Sequence, residues 1–327
     1  MSPRISIPSE RADLLRGWPP PVLDPAGPYA GSITTLAWVL LAMSAAVFAL
    51  VLASMWVAFR GGPRLQGKLG GTKAIWGLGI ALPVVVLTAL LIWGLTLTAH
   101  LSAPVRGDEM RIRVTGNMWW WEVVYLDSRQ QPVLRDANEL HIPVGQPVVI
   151  ELASNDVIHN FWVPRLSGKL DMIPGRTNVM RIQADEPGQF GGICAEYCGG
   201  PHALMGFVVV AHEPAAFARL MADRRRPRAP LPQGAELQRG EALFGSAGCA
   251  ACHRIGGTPY NGLAGPDLTH VGTRRSIGAG ILPNNRGTLM GWIGNSQAIK
   301  PGNRMPPYAM LSGEDLRALA IYLEAQR

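Results

Sequence analysis

Residues 194–207 read CAEYCGGPHALMGF. Cys194 and Cys198 stand four apart, His202 follows four later, and Met205 three beyond that. Two thiols, an imidazole and a thioether in one short loop make a donor set for a soft metal. On both sides the chain alternates apolar and polar residues between breaks at Gly, Pro, Asn and Asp, in MRIRVTG, ELHIPVGQPVVIELAS, NVMRIQAD and GFVVVAHEP. That spacing predicts an antiparallel sandwich or barrel over 108–212, with the cysteine loop between two of its strands. A loop held by a rigid β scaffold is where binding groups concentrate.

A second imidazole, His159, lies upstream in ASNDVIHNFWVP at the start of an expected strand. Two cysteines and two histidines suit tetrahedral zinc. Zinc leaves Met205 without a role, whereas thioether, thiolate and imidazole together are a copper preference. A disulfide leaves His159, His202 and Met205 without one. A single copper needs only one cysteine. Two cysteines in a tight loop can instead bridge two copper ions, each completed by one histidine. Bridging thiolates share the unpaired electron over both metals, so bond lengths change little on reduction. Such a site suits fast electron transfer and not oxygen chemistry.

The chain of 327 residues has room for two or three domains and carries a formal charge of +7. No Lys/Arg-rich tract is interleaved with aromatics, so nucleic acid is not an expected partner. Residues 108–212 hold twelve acids against eight bases, and residues 236–327 hold six against nine. The two segments are expected either to attract each other or to steer different partners, with ordinary solvated surface the plain alternative. Residues 1–32 are expected to form an extended, exported N-terminal segment rich in proline. Residues 33–59 and 74–98 are uncharged and apolar, long enough to cross roughly 30 Å of hydrocarbon as helices. The loop between them, 60–73, carries Arg60, Arg64, Lys68 and Lys73 without an acid, which places it in the cytoplasm. Both the N-terminus and everything after about residue 100 then face the other side.

The pattern Cys194-x-Glu196-x-Cys198-x-x-x-His202-x-x-Met205, with His159 upstream, resembles the binuclear CuA site of subunit II of haem–copper cytochrome c oxidases. The resemblance runs over residues 22–212 and includes the LDPAGP lead-in and the apolar hairpin. It implies a cupredoxin-like Greek-key fold for 108–212. It further implies that the Glu196 main-chain carbonyl ligates copper while its carboxylate reaches a magnesium at the face of subunit I. Trp119, first of three tryptophans in GNMWWWEVVY, matches the family position where electrons enter. Asp156 and Asp171 also match family positions, although structural hydrogen bonding accounts for them equally well. One departure concerns protons. The family usually carries a glutamate three residues before the tryptophan that opens the second span, and here Trp76 is preceded at that distance by Lys73. Lysine cannot collect protons as that acid does near neutral pH.

Residues 213–235, with Arg224–Arg226 and several prolines, are expected to be a linker. Beyond them CAACH at 249–253 is a c-type haem attachment signature, with Cys249 and Cys252 for the vinyl groups and His253 for the iron. NRMPPYAML offers Met305 as the second axial ligand, with Met310 and Met290 as weaker candidates and core packing the default for Met290. A GPDL turn at 265–268 and a closing helix capped by Ser312 complete a resemblance to class I cytochromes c over 236–327. That helix has Leu316, Leu319, Ala320 and Leu323 on its apolar face. His100, His141, His212 and His270 fit no pattern.

Together these features are similar to a subunit II fused to cytochrome c, as in caa-type oxidases. The resemblance implies a multidomain membrane protein of a bacterial inner membrane, with two spans and periplasmic copper and haem domains. It implies electron flow from cytochrome c or another donor to haem c, then to CuA, then to the oxygen-reducing centre of subunit I, coupled to proton translocation. Subunit III and membrane lipid are further implied partners. Three rival readings are a copper subunit of a nitric oxide reductase, a stand-alone membrane-anchored carrier or sensor, and a copper-delivery protein. The last has no use for haem, Met205 or the tryptophan run.

Overall fold

The computed structural model describes residues 20–102, 104–105, 107–226 and 230–327. The chain divides into a helical unit, Gly31–Pro104, and a second unit formed by the rest. The extended segment expected for 1–32 lies outside the described residues up to residue 19.

Helix α1 spans Pro28–Arg60 and helix α3 spans Thr72–Leu101, with the short helix α2, Pro63–Leu69, between them. Each long helix is apolar enough to cross a membrane, and none of its most apolar window is buried within the protein. Both run a few residues past the bounds set by the apolar runs, because helical hydrogen bonding continues into the polar ends. Pro83 lies one residue into an α-helical segment, directly after a π-helical stretch, Ile75–Ala81, that accommodates its missing N–H.

The domain that carries the cysteine loop is a sandwich of two five-stranded sheets. One has the order β3-β2-β1-β5-β8 and the other β4-β10-β9-β6-β7. The strands are β1 Met110–Asn117, β2 Trp120–Leu126, β3 Pro132–Ala137, β4 Glu139–Pro143, β5 Val148–Ser154, β6 His159–Trp162, β7 Lys169–Met172, β8 Asn178–Ile182, β9 Gly188–Cys194 and β10 Gly206–His212. The pairing is mostly antiparallel, but β1 runs parallel to β5 and β10 parallel to β4. This departs from the wholly antiparallel expectation, and the reason is a change of sheet at Asn138. That residue alone separates β3 from β4 and takes φ of 61°, a conformation asparagine tolerates. Its Oδ1 accepts from the Trp121 N–H at 2.9 Å, and its own N–H donates to the Trp121 carbonyl at 2.9 Å.

Between the sheets Trp121, Phe161 and Phe207 are buried, with ring centroids 4.9 Å apart for Trp121–Phe207 and 4.7 Å for Phe161–Phe207. The lead-in segment docks on the same domain. Ala26 donates to the Arg165 carbonyl and accepts from Asp185, and Asp24 pairs with Arg165 at 2.9 Å.

Residues 213–235 correct the expectation of a plain linker. Pro214–Arg224 is helix α4, which buries Met221 and Arg224 and packs Phe217 against the sandwich core. Its large apolar residues are only Phe217, Leu220 and Met221, and the Arg224–Arg226 run and the prolines beyond it dominate the stretch, so it reads as a linker. The rest of that stretch includes residues 227–229, outside the described residues.

The last domain is helical, with α5 Ala235–Ser246, α6 Arg286–Ile299 and α7 Gly313–Glu324. Helices α5 and α7 cross at Gly240, where any side chain would collide with the Ala318 carbonyl. Ser312 caps α7 by accepting from the Asp315 N–H at 3.1 Å. Leu319, Ala320 and Leu323 are buried as its spacing predicts, and Leu316 is partly so.

Gly192 of β9 faces Phe207 so closely that a Cβ would enter the ring's van der Waals surface, and the ring is held by Trp121 and Phe161. Gly192→Ala is therefore expected to destabilise the domain by about 1–3 kcal/mol, the usual cost of overpacking. Denaturant unfolding of the full chain in detergent, followed by tryptophan fluorescence, measures this loss.

Candidate metal centre and haem site

The loop from the end of β9 to the start of β10 brings the two cysteines together without joining them. Their sulfurs are 3.7 Å apart and both thiols are free. A disulfide requires about 2.05 Å, so none forms here. His159 opens β6, which pairs with β9 through Phe161 opposite Cys194. This strand pairing carries a histidine 35 residues upstream to the loop. His159 Nδ1 lies 3.9 Å from Cys194 Sγ, and His202 Nδ1 lies 3.5 Å from Cys198 Sγ. Met205 Sδ is 3.8 Å from Cys198 Sγ, and the Glu196 carbonyl oxygen is 3.2 Å from Cys194 Sγ. His159 is wholly buried, Cys194, Cys198 and Met205 are nearly so, and the Glu196 side chain is exposed.

The surroundings orient these donors. Asp156 Oδ1 accepts from His159 Nε2 at 2.7 Å, which turns Nδ1 toward the sulfurs. Asp156 Oδ2 accepts from the Met118 N–H at 2.7 Å. Asp171 instead ties strands, accepting from Asn160 Nδ2 at 2.6 Å through its carboxylate and from Asn178 Nδ2 through its carbonyl. Gly116 is required beside the site, since a Cβ there would lie 2.7 Å from the His159 ring. The hydrogen bond from Cys198 and the nearby His159 hold the Cys194 thiol well below its usual pKa, while the same sharing with Cys194 pushes Cys198 up. One thiolate thus forms readily, and the second needs a cation to replace its proton. Two sulfurs able to bridge, one imidazole nitrogen beside each, a thioether and a carbonyl make a donor set that fits a copper pair.

Trp119 lies in the turn before β2, half-buried, and donates from Nε1 to the Cys198 carbonyl at 2.9 Å. The other two tryptophans diverge, Trp121 into the core and Trp120 to the opposite face.

In the helical domain Cys249 and Cys252 are free thiols on one turn. His253 Nδ1 donates to the Pro266 carbonyl at 2.7 Å, leaving Nε2 for a metal. Gly265 lies so close that a Cβ would stand 2.7 Å from the His253 ring. Met305 is fixed through its backbone: its N–H donates to Asn303 Oδ1 at 2.8 Å, and its carbonyl accepts from Ser296 Oγ and Gln297 Nε2 at 2.9 Å each. Met305 and Met290 both pack on this domain's core, whereas Met310 is 78% exposed. The donors fit a c-type haem.

Residues 125–212 match the family described as cytochrome c oxidase subunit II, periplasmic domain, and residues 237–326 match the cytochrome c family. The chain is 36% identical over 318 residues to a protein of Alkalihalophilus pseudofirmus named cytochrome c oxidase subunit 2, covering 93% of this chain and 90% of that one. A protein of the same name from Bacillus sp. (strain PS3) is 28% identical over 80% of this chain and 76% of its own. Among solved structures, the periplasmic domain of subunit II of cytochrome oxidase of Bradyrhizobium japonicum is 31% identical. It covers 37% of this chain and 96% of its own, with a TM-score of 0.32.

Asp156→Ala removes the acceptor that orients His159, and is expected to weaken copper retention about 10–100-fold. Chelator competition against the wild-type chain measures the change.

Proposed function

The chain belongs to the cytochrome c oxidase subunit 2 family, a component of the oxidase complex, and from that premise we propose the route by which electrons cross it. When bound, haem c and the CuA pair supply one-electron carriers whose geometry changes little between redox states. Cys249 and Cys252 would fasten the haem, and His253 and Met305 would hold its iron. Cys194, Cys198, His159, His202, Met205 and the Glu196 carbonyl would hold the copper pair. Trp119 is where electrons enter the copper loop, since its indole is hydrogen-bonded to Cys198 and packs beside the site. The exposed Glu196 carboxylate reaches a magnesium shared with subunit I.

Electrons pass from a donor cytochrome to haem c, then to CuA, then to the oxygen-reducing centre in subunit I, coupled to proton translocation. Subunit III and lipid complete the assembly in a bacterial inner membrane, with both redox domains on the periplasmic side. Lys73 stands where the family usually has its proton-collecting acid, so either the partner subunit supplies the proton entrance differently or the pumping arrangement differs.

The observation that carries this reading is the pair of unbonded cysteine sulfurs 3.7 Å apart with an imidazole nitrogen beside each. Cys249→Ser with Cys252→Ser tests the route in the intact oxidase. Covalent haem is expected to vanish from the denatured subunit, and donor oxidation to fall at least about 10-fold while the copper signal persists. Undiminished donor oxidation without haem would contradict the proposed order.

A further inference from the structure

The two redox domains meet through residues that the proposed route does not use. Lys300, at the end of α6, is only 2% exposed. Its ammonium donates to the Trp119 carbonyl at 2.7 Å and to the Gly278 carbonyl at 3.1 Å. No carboxylate neutralises it among the described contacts, and burial pushes its pKa down to about 7. Apolar side chains fill such a space at less cost. The lysine therefore calls for a role beyond packing.

Its neighbours indicate the role. The Lys300 carbonyl accepts from Asn303 Nδ2 at 2.8 Å, and Asn303 Oδ1 accepts from the Met305 N–H at 2.8 Å. On the other side Trp119 Nε1 donates to the Cys198 carbonyl at 2.9 Å. Four hydrogen bonds thus join Met305 to Cys198 through Asn303, Lys300 and Trp119. The cytochrome domain touches the cysteine loop elsewhere. A Cβ on Gly302 would sit 3.7 Å from Pro201 Cδ, and the Gly206 N–H donates to the Ala279 carbonyl at 3.1 Å. Arg304 lies 3.9 Å from the Asp156 carboxylate that holds His159.

We propose that Lys300 is the positioning residue for electron transfer between the domains: it seats the Met305 loop on Trp119, so that Trp119 serves this chain's own cytochrome domain rather than an external protein. The proposal rests on the ligand assignments given above. In this step one electron leaves the cytochrome domain, which is oxidised, and arrives at the copper loop, which is reduced; no bond forms or breaks. A bonded path couples donor and acceptor better than a gap of the same length, and a single seated geometry keeps that path short. An external donor then reacts with the cytochrome domain, because the ground around Trp119 is taken.

A separate anchor allows the idea to be tested without losing the interface. Asp136 of β3 is fully buried and paired with Arg224 and Arg274, the latter at 2.8 Å. Burial opposes its charge, but the two guanidinium groups outweigh that and keep the carboxyl below its usual range. The Arg275 N–H donates to Glu139 at 2.9 Å beside it. These contacts remain when Lys300 is replaced.

The test uses the intact oxidase carrying Lys300→Met or Lys300→Gln. Optical and EPR spectra report whether haem and copper are retained. Magnetic relaxation of the copper signal by oxidised haem reports their separation, and flash-induced transfer reports the rate. Lys300→Met is expected to keep both cofactors, to spread the single separation into a distribution, and to slow transfer at least about 10-fold. Lys300→Gln retains a donor for the Trp119 carbonyl and is expected to fall between the two. Wild-type relaxation and rate in Lys300→Met would overturn the proposal, as would loss of cofactors from both variants, which would make Lys300 a folding residue. Absence of a copper pair or haem in the wild-type chain would instead overturn the ligand assignments.

Discussion

Two sulfurs held close but apart are the constraint around which the rest of this protein is arranged. Cys194 ends a strand and Cys198 sits on the loop that follows, so the sheet sets the position of one and the loop that of the other. At 3.7 Å they are too far apart to bond and close enough to share cations. Everything within reach favours that outcome. Asp156 turns His159 toward the sulfurs, Gly116 leaves room for its ring, and Trp119 ties the Cys198 carbonyl to the neighbouring turn. Each support comes from a different strand or turn, so the loop is as rigid as the sandwich beneath it.

The cytochrome domain extends the same logic. Acids at 136, 139 and 156 on the sandwich face Arg274, the Arg275 backbone and Arg304 on the haem domain. Acids of the sandwich and bases of the cytochrome domain thus meet at this contact. The fully buried Asp136 is matched by two guanidinium groups, as an uncompensated carboxylate there would be strongly destabilising. A fixed contact between the two domains needs no steering field to bring them together.

The site was legible wherever its chemistry is contiguous in the chain. Cys194, Cys198, His202 and Met205 lie within twelve residues, and CAACH within five, so their spacing marks them as candidate donors. The haem-domain helix read from its cap at Ser312 appears where its apolar spacing puts it. What depends on strand crossing was not legible. Asn138 is one polar residue among many until the chain changes sheets there. Helix α4 looks like a basic linker because Arg224 finds its acid at Asp136, 88 residues away. Lys300 fits no motif, and its partners on Trp119 and Gly278 are carbonyl oxygens, which leave no mark in a sequence. The role of Asp156 beside Asp171 was likewise open until one was seen to hydrogen-bond the His159 ring and the other to tie strands.

The central claim is that the sulfurs of Cys194 and Cys198 unite two copper ions into one delocalised unit. Metal analysis with EPR of the partly oxidised full chain tests it most directly. Two coppers per chain and a seven-line hyperfine pattern, the mark of one electron shared equally by two copper nuclei, are the predicted result. Zinc in the loop, or a single copper with a four-line pattern, would contradict the account.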